Sequence, residues 1–256
     1  GFHSQWDAQF VHPIREMVIQ ADDAGRSMEA VKTAITYRYE EDACNRVIYS
    51  ESHDEVANGK ARVPQEINND DPTGWHAQKR STLAAGLLFT SPGIPMIFQG
   101  QEFLQGEWFR DNVPLDWHMN EEYHGVARMY RDLIWLRLNR DGVSRGLCGQ
   151  NVAVTHVNDQ QNLIAFQRWD QHGDGDDVMV IANCGYEVKE GYRIGMPQSG
   201  EWKLRFNSDA SIYSDDFQNT LSTHLTATDE PQDGLPASAE VTIAPYSVLI
   251  YSRDPS

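Results

Sequence analysis

Six consecutive residues, Ser50-Glu51-Ser52-His53-Asp54-Glu55, place three carboxylates, an imidazole and two hydroxyls directly after the apolar run Val47-Ile48-Tyr49. A carboxylate held against a polyhydroxylated ring can accept hydrogen bonds from two neighbouring hydroxyls. Those bonds strengthen as the ring flattens toward an oxocarbenium ion, so the barrier falls without the carboxylate exchanging a proton. Asp54 is the candidate for that task. His53 beside it offers at least one N–H to a ring hydroxyl in either protonation state, and Glu55 is a further candidate contact. The same His-Asp pair would equally serve to cap a loop, as Asp often does.

A second acidic loop follows the run Ile94-Pro95-Met96-Ile97-Phe98. From Gln99 to Trp117 it carries Glu102, Glu107, Trp108, Phe109, Arg110, Asp111, Asp116 and Trp117. Aromatic faces stack on the apolar faces of sugars and carboxylates hold their rims, so Glu102 and Trp108 are candidate substrate contacts. Packing of the loop is the competing role for a Trp. It is the favoured one for Trp117, which follows Leu115-Asp116, and stands level with binding for Trp108. Lys60 and Arg62 could touch hydroxyls, but pairing with Glu66 is the favoured reading.

The elements that must position these loops alternate. Short β-branched and aromatic runs read as buried strands. Pro13 fits a helix start, followed by Ile14, Met17 and Val18 at helical spacing. Met28, Val31, Ala34 and Ile35 make a second apolar helical face. A third helix spans Trp75 to Phe89, where Gly86 and Ala84-Ala85 suit close packing on a sheet, and Ser91-Pro92-Gly93 ends it. A fourth runs from about Glu121 to Arg140, with Val126, Tyr130, Leu133, Ile134 and Leu138 on its apolar face. This is the alternation of a parallel α/β sheet or barrel, whose strand ends carry the substrate contacts. Two strands cannot close an eight-stranded barrel, so residues 1–140 are expected to be the C-terminal part of a (β/α)8 TIM barrel.

After Gly142 the pattern changes to short strands: 152–157, 163–169, 178–182, 202–206, 241–243 and 247–251. Turn-rich stretches such as 170–177 separate them, which predicts an antiparallel β-sandwich over residues 141–256. The fold class is therefore α/β plus all-β. The segment Ser208–Ser238 reads as a long polar excursion. The Asp-rich turn 170–177 lacks the spaced ligands and terminal Glu of an EF-hand loop, so no metal is expected. No cofactor is expected either.

Composition narrows the partners. Across 256 residues, Asp and Glu outnumber Lys and Arg by 38 to 21, a formal charge of −17. That field disfavours nucleic acid and anionic membrane and leaves a neutral ligand such as a sugar unopposed. Cys44, Cys148 and Cys184 are scattered and form no zinc spacing, a usage that fits a reducing cytoplasm. No apolar run approaches the ~20 residues of a membrane span. The opening residues Gly1-Phe2-His3-Ser4-Gln5-Trp6 lack a secretion signal, and the chain is expected to begin inside a longer protein.

Several motifs fall in a recognisable order: Gly1-Phe2-x-x-x-Trp6, Ser52-His53-Asp54-Glu55-Val56, Gly59-Lys60, Gly93-Ile94-Pro95-Met96-Ile97-Phe98-x-Gly100-x-Glu102-Phe103 and Leu115-Asp116-Trp117. The chain resembles the C-terminal part of the α-amylase superfamily (glycoside hydrolase family 13), within it the glucan branching enzymes. The resemblance implies that Asp54 is the transition-state stabiliser and His53 its hydroxyl-binding neighbour. It also implies a nucleophilic Asp and an acid/base Glu on earlier strands, without counterparts here. Ser52 stands where the family usually has Asn, which alters the support of His53 more than the role of Asp54.

The resulting expectation is the C-terminal portion of a retaining enzyme that makes α-1,6 branches in a glycogen-type glucan, inactive alone and completed by the N-terminal remainder of the same enzyme. A hydrolase of the same family, of amylase or trehalose-releasing type, is the first alternative, and a non-catalytic glucan-binding module the second. A weaker third has Asp54 and Glu102 acting as a catalytic pair. Residues 141–256 are expected to fold alone, and residues 1–140 to need a partner.

Overall fold

A computed structural model of the chain describes residues 2–57, 60–217 and 220–255; Gly1 and Gly59 of the motifs above lie outside them. The chain opens with β1 (Gln5–Trp6) and α1 (Ala8–Ile19), followed by α2 (Met28–Thr36) and β2 (Arg46–Ile48). Then come α3 (Val63–Ile67), α4 (Trp75–Thr90), β3 (Ile94–Pro95), α5 (Trp117–Glu122) and α6 (His124–Arg137). Strands β1, β2 and β3 form a parallel sheet with β2 central, Trp6 opposite Val47 and Ile48 opposite Pro95. Strand β1 was missed in the sequence because two residues, both exposed, carry no apolar run.

Helix α1 begins at Asp7, whose side chain accepts from the Gln9 N–H at 2.9 Å, so Pro13 lies inside the helix and not at its start. The ring removes one backbone bond there, while Phe10, Val11, Ile14, Met17 and Val18 are buried and hold the helix. All four expected residues of α2 are buried, and Ser27 caps it. In α6 the buried face is Val126, Met129, Tyr130, Leu133 and Leu136. Ile134 is exposed instead, and so is Leu138, which falls at the C-cap.

The remainder is antiparallel. Strands β4 (Asn151–Asn158), β5 (Leu163–Trp169), β6 (Val178–Asn183), β7 (Lys189–Met196), β8 (Gly200–Asn207), β9 (Leu225–Ala227), β10 (Ala237–Ile243) and β11 (Ser247–Ser252) follow in order. Six of them form one sheet, β4-β5-β6-β11-β8-β9, and β10 pairs with β7 in a second. Strand β7 escaped the sequence reading because Glu190, Gly191 and Arg193 dilute its inward residues Ile194 and Met196. The polar stretch 208–238 contains β9 and buries Tyr213 and Phe217, so it is anchored to the body at intervals and is not a free excursion.

Strands β5, β6 and β11 are buried on both faces, which is why they read as unbroken apolar runs. Alternate residues divide between two cores. Leu163, Ala165, Met179, Ile181, Leu249 and Tyr251 meet the β7–β10 sheet around Trp202. Ile164, Phe166, Val178, Val180, Val248 and Ile250 meet the helices, in one core with Leu83, Leu87 and Met129. The small residues of α4 thus press on β11 of the antiparallel sheet, with a Cβ at Gly86 meeting Val248 at 2.7 Å. One core thus lies wholly within residues 163–251, while the other is shared between the helices of the first half and the inner face of the sheet. Lys79 reinforces the junction by a buried 2.6 Å bond to Asp209.

Candidate active site

Trp6, His53-Asp54 and the Gln99–Trp117 loop all leave the C-terminal ends of adjacent parallel strands. After β2 the chain turns tightly: the Val56 N–H donates to the Ser52 carbonyl and the Glu55 N–H to Ser52 Oγ at 3.3 Å. The turn projects His53 and Asp54 outward, with side chains 54% and 72% exposed and His53 Nε2 3.3 Å from Asp54 Oδ1. The indole of Trp6 meets the His53 ring edge-on at 5.6 Å and Tyr49 at 5.4 Å. Burial, then the charges of Glu55 and Asp54, push the Tyr49 hydroxyl up to about 12. Tyr49 is therefore a neutral floor beneath two carboxylates.

Beneath this surface the two loops are stitched together. Gln101 Nε2 donates to Ser50 Oγ at 2.6 Å, Arg62 to the Gln99 carbonyl at 2.8 Å, and the Phe109 N–H to the Val56 carbonyl at 2.6 Å. Arg62 pairs with the buried Glu51 at 3.4 Å and not with Glu66, which is held by Arg15 at 2.7 Å. Lys60 approaches Glu55 at 3.9 Å. Glu51, 11 residues before Arg62, lies just past the end of β2, and its pairing with Arg62 depends on how the loop folds back. Burial pushes the Glu51 carboxyl up against the lowering pull of Arg62 and the Val63 N–H.

The candidates divide. His53 and Asp54 come together at the surface, flanked by Trp6, which sequence reasoning had used only as a motif residue. Glu55 is turned inward, its side chain 13% exposed. Glu102 is half-buried, and its Oε2 has no hydrogen-bond partner among the described residues. Trp108 is 46% exposed with Arg110 5.4 Å over its ring. Trp117 was expected to pack; it is 64% exposed and only leans on Phe103 at 5.5 Å. Glu107 is paired with Arg110 at the surface. Leu104 and Glu107 both hold positive φ, 60° and 64°, in this loop; such strain gathers at sites that position ligands.

The exposed Asp54 carboxylate, the His53 imidazole and the exposed indoles suit a neutral polyol as ligand. In the turn 170–177, by contrast, Asp176 and Asp177 are consumed by the backbone N–H groups of Asp170, Gln171 and Gly173.

Residues 154–254 match the family model described as the alpha amylase C-terminal all-beta domain. A protein of Shewanella baltica named 1,4-alpha-glucan branching enzyme GlgB is 32% identical over 85% of this chain and 28% of its own length. One of Xanthomonas campestris pv. campestris, named GlgB 1, is 29% identical over 98% of this chain and 34% of its own. The chain spans about a third of the length of these curated relatives. Among solved structures, an α-amylase from H. orenii superposes with a TM-score of 0.62 at 17% identity over 99% of this chain and 49% of its own. A pullulanase from Anoxybacillus, described in complex with maltotetraose, gives 0.65 at 15% identity over 98% and 35%. These matches make glucan branching enzymes the curated relatives of most of this chain, which fits the C-terminal part of such an enzyme.

Proposed function

We propose that residues 1–140 are the C-terminal part of a catalytic (β/α)8 barrel and residues 141–256 its trailing β-sandwich domain, within a retaining 1,4-α-glucan branching enzyme. Three parallel strands with active residues at their C-terminal ends support this reading, as does the extent of the structural likeness. The whole enzyme forms a glycosyl ester on a nucleophilic carboxylate as an acid protonates the departing glucan oxygen. A sugar 6-hydroxyl, giving its proton to the conjugate base of that acid, then displaces the carboxylate and leaves an α-1,6 branch. Both of those carboxyl groups come from the N-terminal remainder of the enzyme, so this chain alone does not turn over.

Asp54 acts as the stabiliser. Its open carboxylate accepts from ring hydroxyls whose acidity grows with the oxocarbenium charge. His53 donates to a ring hydroxyl and is braced by Trp6, while Glu55, Glu102 and Trp108 line the approach to the α-glucan. No cofactor takes part. No helix among the described residues is long and apolar enough to cross a membrane, and free cysteines fit a cytoplasmic location.

The observation that carries the proposal is the pairing of an exposed His53-Asp54 turn with a stitched aromatic loop on neighbouring strand ends. In the full-length protein, Asp54→Asn should lower turnover by ~10²–10⁴-fold and weaken glucan binding far less; activity within threefold of wild type would sink the assignment. Hydrolysis is the second reading, favoured by neighbours named as amylase and pullulanase. An iodine-stain shift without release of reducing ends separates branching from it.

A further inference from the structure

The Asp54 carboxylate is held by little of its own. Its side chain is largely exposed, and its one polar neighbour among the described residues is His53 Nε2 at 3.3 Å. Where it stands is therefore decided by the backbone of the turn 50–56. That turn is fastened at both ends by the loop after β3. At its far end the Phe109 N–H donates to the Val56 carbonyl at 2.6 Å. At its near end Gln101 Nε2 donates to the Ser50 hydroxyl at 2.6 Å, and both side chains are out of water. The Ser50 carbonyl accepts separately from Arg15 Nη1 at 3.1 Å, so α1 and the β3 loop grip the same residue from two sides.

Gln101 is mounted for this task. It opens a short 3₁₀ turn, Gln101–Phe103, bounded by Gly100 at φ 82° and Leu104 at φ 60°. Glycine enters the first of those conformations without a steric penalty, and a Cβ on Gly100 would lie 2.7 Å from that of Gln105. The Gln101 backbone N–H donates to the Phe98 carbonyl at 2.9 Å, and its side-chain oxygen accepts from the Phe98 N–H at 3.1 Å. A flipped amide would face that N–H with its own NH₂, so Nε2 is left pointing at Ser50. A neutral amide also adds no charge beside the buried Glu51–Arg62 pair, where a further ion would need compensation. We propose that Gln101 is a positioning residue for the glycosyl-transfer step: without touching the glucan, it sets the start of the turn that aims Asp54 at the ring hydroxyls. This role deepens the function proposed above and depends on its assignment of Asp54. A carboxylate displaced by about 1 Å loses transition-state stabilisation out of proportion to binding.

The test uses the full-length enzyme, with branch formation on amylose followed by iodine stain. Gln101→Met keeps the volume and removes both side-chain bonds. It should lower kcat about tenfold or more and leave the KM for amylose within about threefold. Ser50→Ala removes the same bond from its other end and should lower kcat in the same direction; it carries the test if Gln101→Met does not fold. The sharper comparison is in the Asp54→Asn background. There Gln101→Met should lower kcat by less than about threefold more, because an effect that runs through Asp54 has little left to lose. A kcat within about twofold of wild type in the folded single variants, a KM raised with kcat unchanged, or an undiminished loss on top of Asp54→Asn would each overturn the proposal. Failure of the underlying assignment looks different: Asp54→Asn would itself keep activity within about threefold of wild type, and the role of Gln101 would fall with it.

Discussion

Arg62 donates to Glu51 at 3.4 Å and to the Gln99 carbonyl at 2.8 Å, while its guanidinium lies 4.7 Å over the ring of Phe98. Both partners of the ion pair are out of water, with side chains 3% and 1% exposed. Glu51 Oε1 also accepts from the Val63 N–H at 2.6 Å. One cation therefore holds the β2 loop to the β3 loop below the surface from which Asp54 projects. Arg62→Ala would strand a buried carboxylate, and such losses cost about 3–5 kcal/mol. Urea unfolding of the 256-residue chain should show that deficit, and Arg62→Lys should rescue little of it, because an ammonium cannot span both acceptors. The deficit should depend on pH. Burial already raises the Glu51 carboxyl above its ordinary 4.5, and loss of Arg62 raises it further. Below 4.5 the group is protonated in both proteins and the charge cost vanishes; it returns as pH rises through the raised values. A deficit that is small, or constant with pH, would remove Arg62 from this role.

At the scale of elements, α4 decides how the molecule is assembled. Every residue from Ala77 to Thr90 is buried, so the helix touches protein all round. Its C-terminal carbonyls are closed by cations: Arg168 reaches Thr90, and Arg137 donates to Phe89, Ser91 and Gly93. Cations there complement both the unpaired carbonyls and the helix dipole. Gly86→Ala gains helix propensity but drives a methyl into Val248, so the net loss should be about 1–2 kcal/mol. A thermal midpoint at or above wild type would show that β11 yields at no cost. The sequence made α4 legible through its breaker Ser91-Pro92-Gly93 and its small residues, and β5, β6 and β11 through dense apolar runs. It hid β1, β7 and β9, which are short or diluted by charge and owe their existence to partners far along the chain. The candidate site divides similarly. The exposed place of His53 and Asp54 just past β2 was readable from the apolar run Val47-Ile48-Tyr49 before them. The stitching beneath them was not, since Gln101 reaches Ser50 across 51 residues and Arg62 reaches Gln99 across 37.

At the scale of the whole molecule, the antiparallel sheet is a shared wall. Its outer face closes under β7 and β10, but its inner face presents Ile164, Phe166, Val178, Val180, Val248 and Ile250 to helices from the first half of the chain. The same junction buries Lys79 against Asp209 and sets Arg168 on the end of α4. Cutting the chain near residue 141 would remove those helices and uncover a contiguous apolar face, and monomeric proteins rarely expose patches beyond a few hundred Å². An isolated 141–256 segment should therefore bind the dye ANS strongly and elute from a sizing column as an oligomer or aggregate. The intact 256-residue chain should show less of both. The β7–β10 side would keep its own core, so far-UV circular dichroism of the segment should retain β structure even where the inner face is wet. A segment that eluted as a monomer, left ANS dark and unfolded cooperatively would mean that the sheet is self-sufficient and that its contact with α4 is a docking surface added to a finished domain.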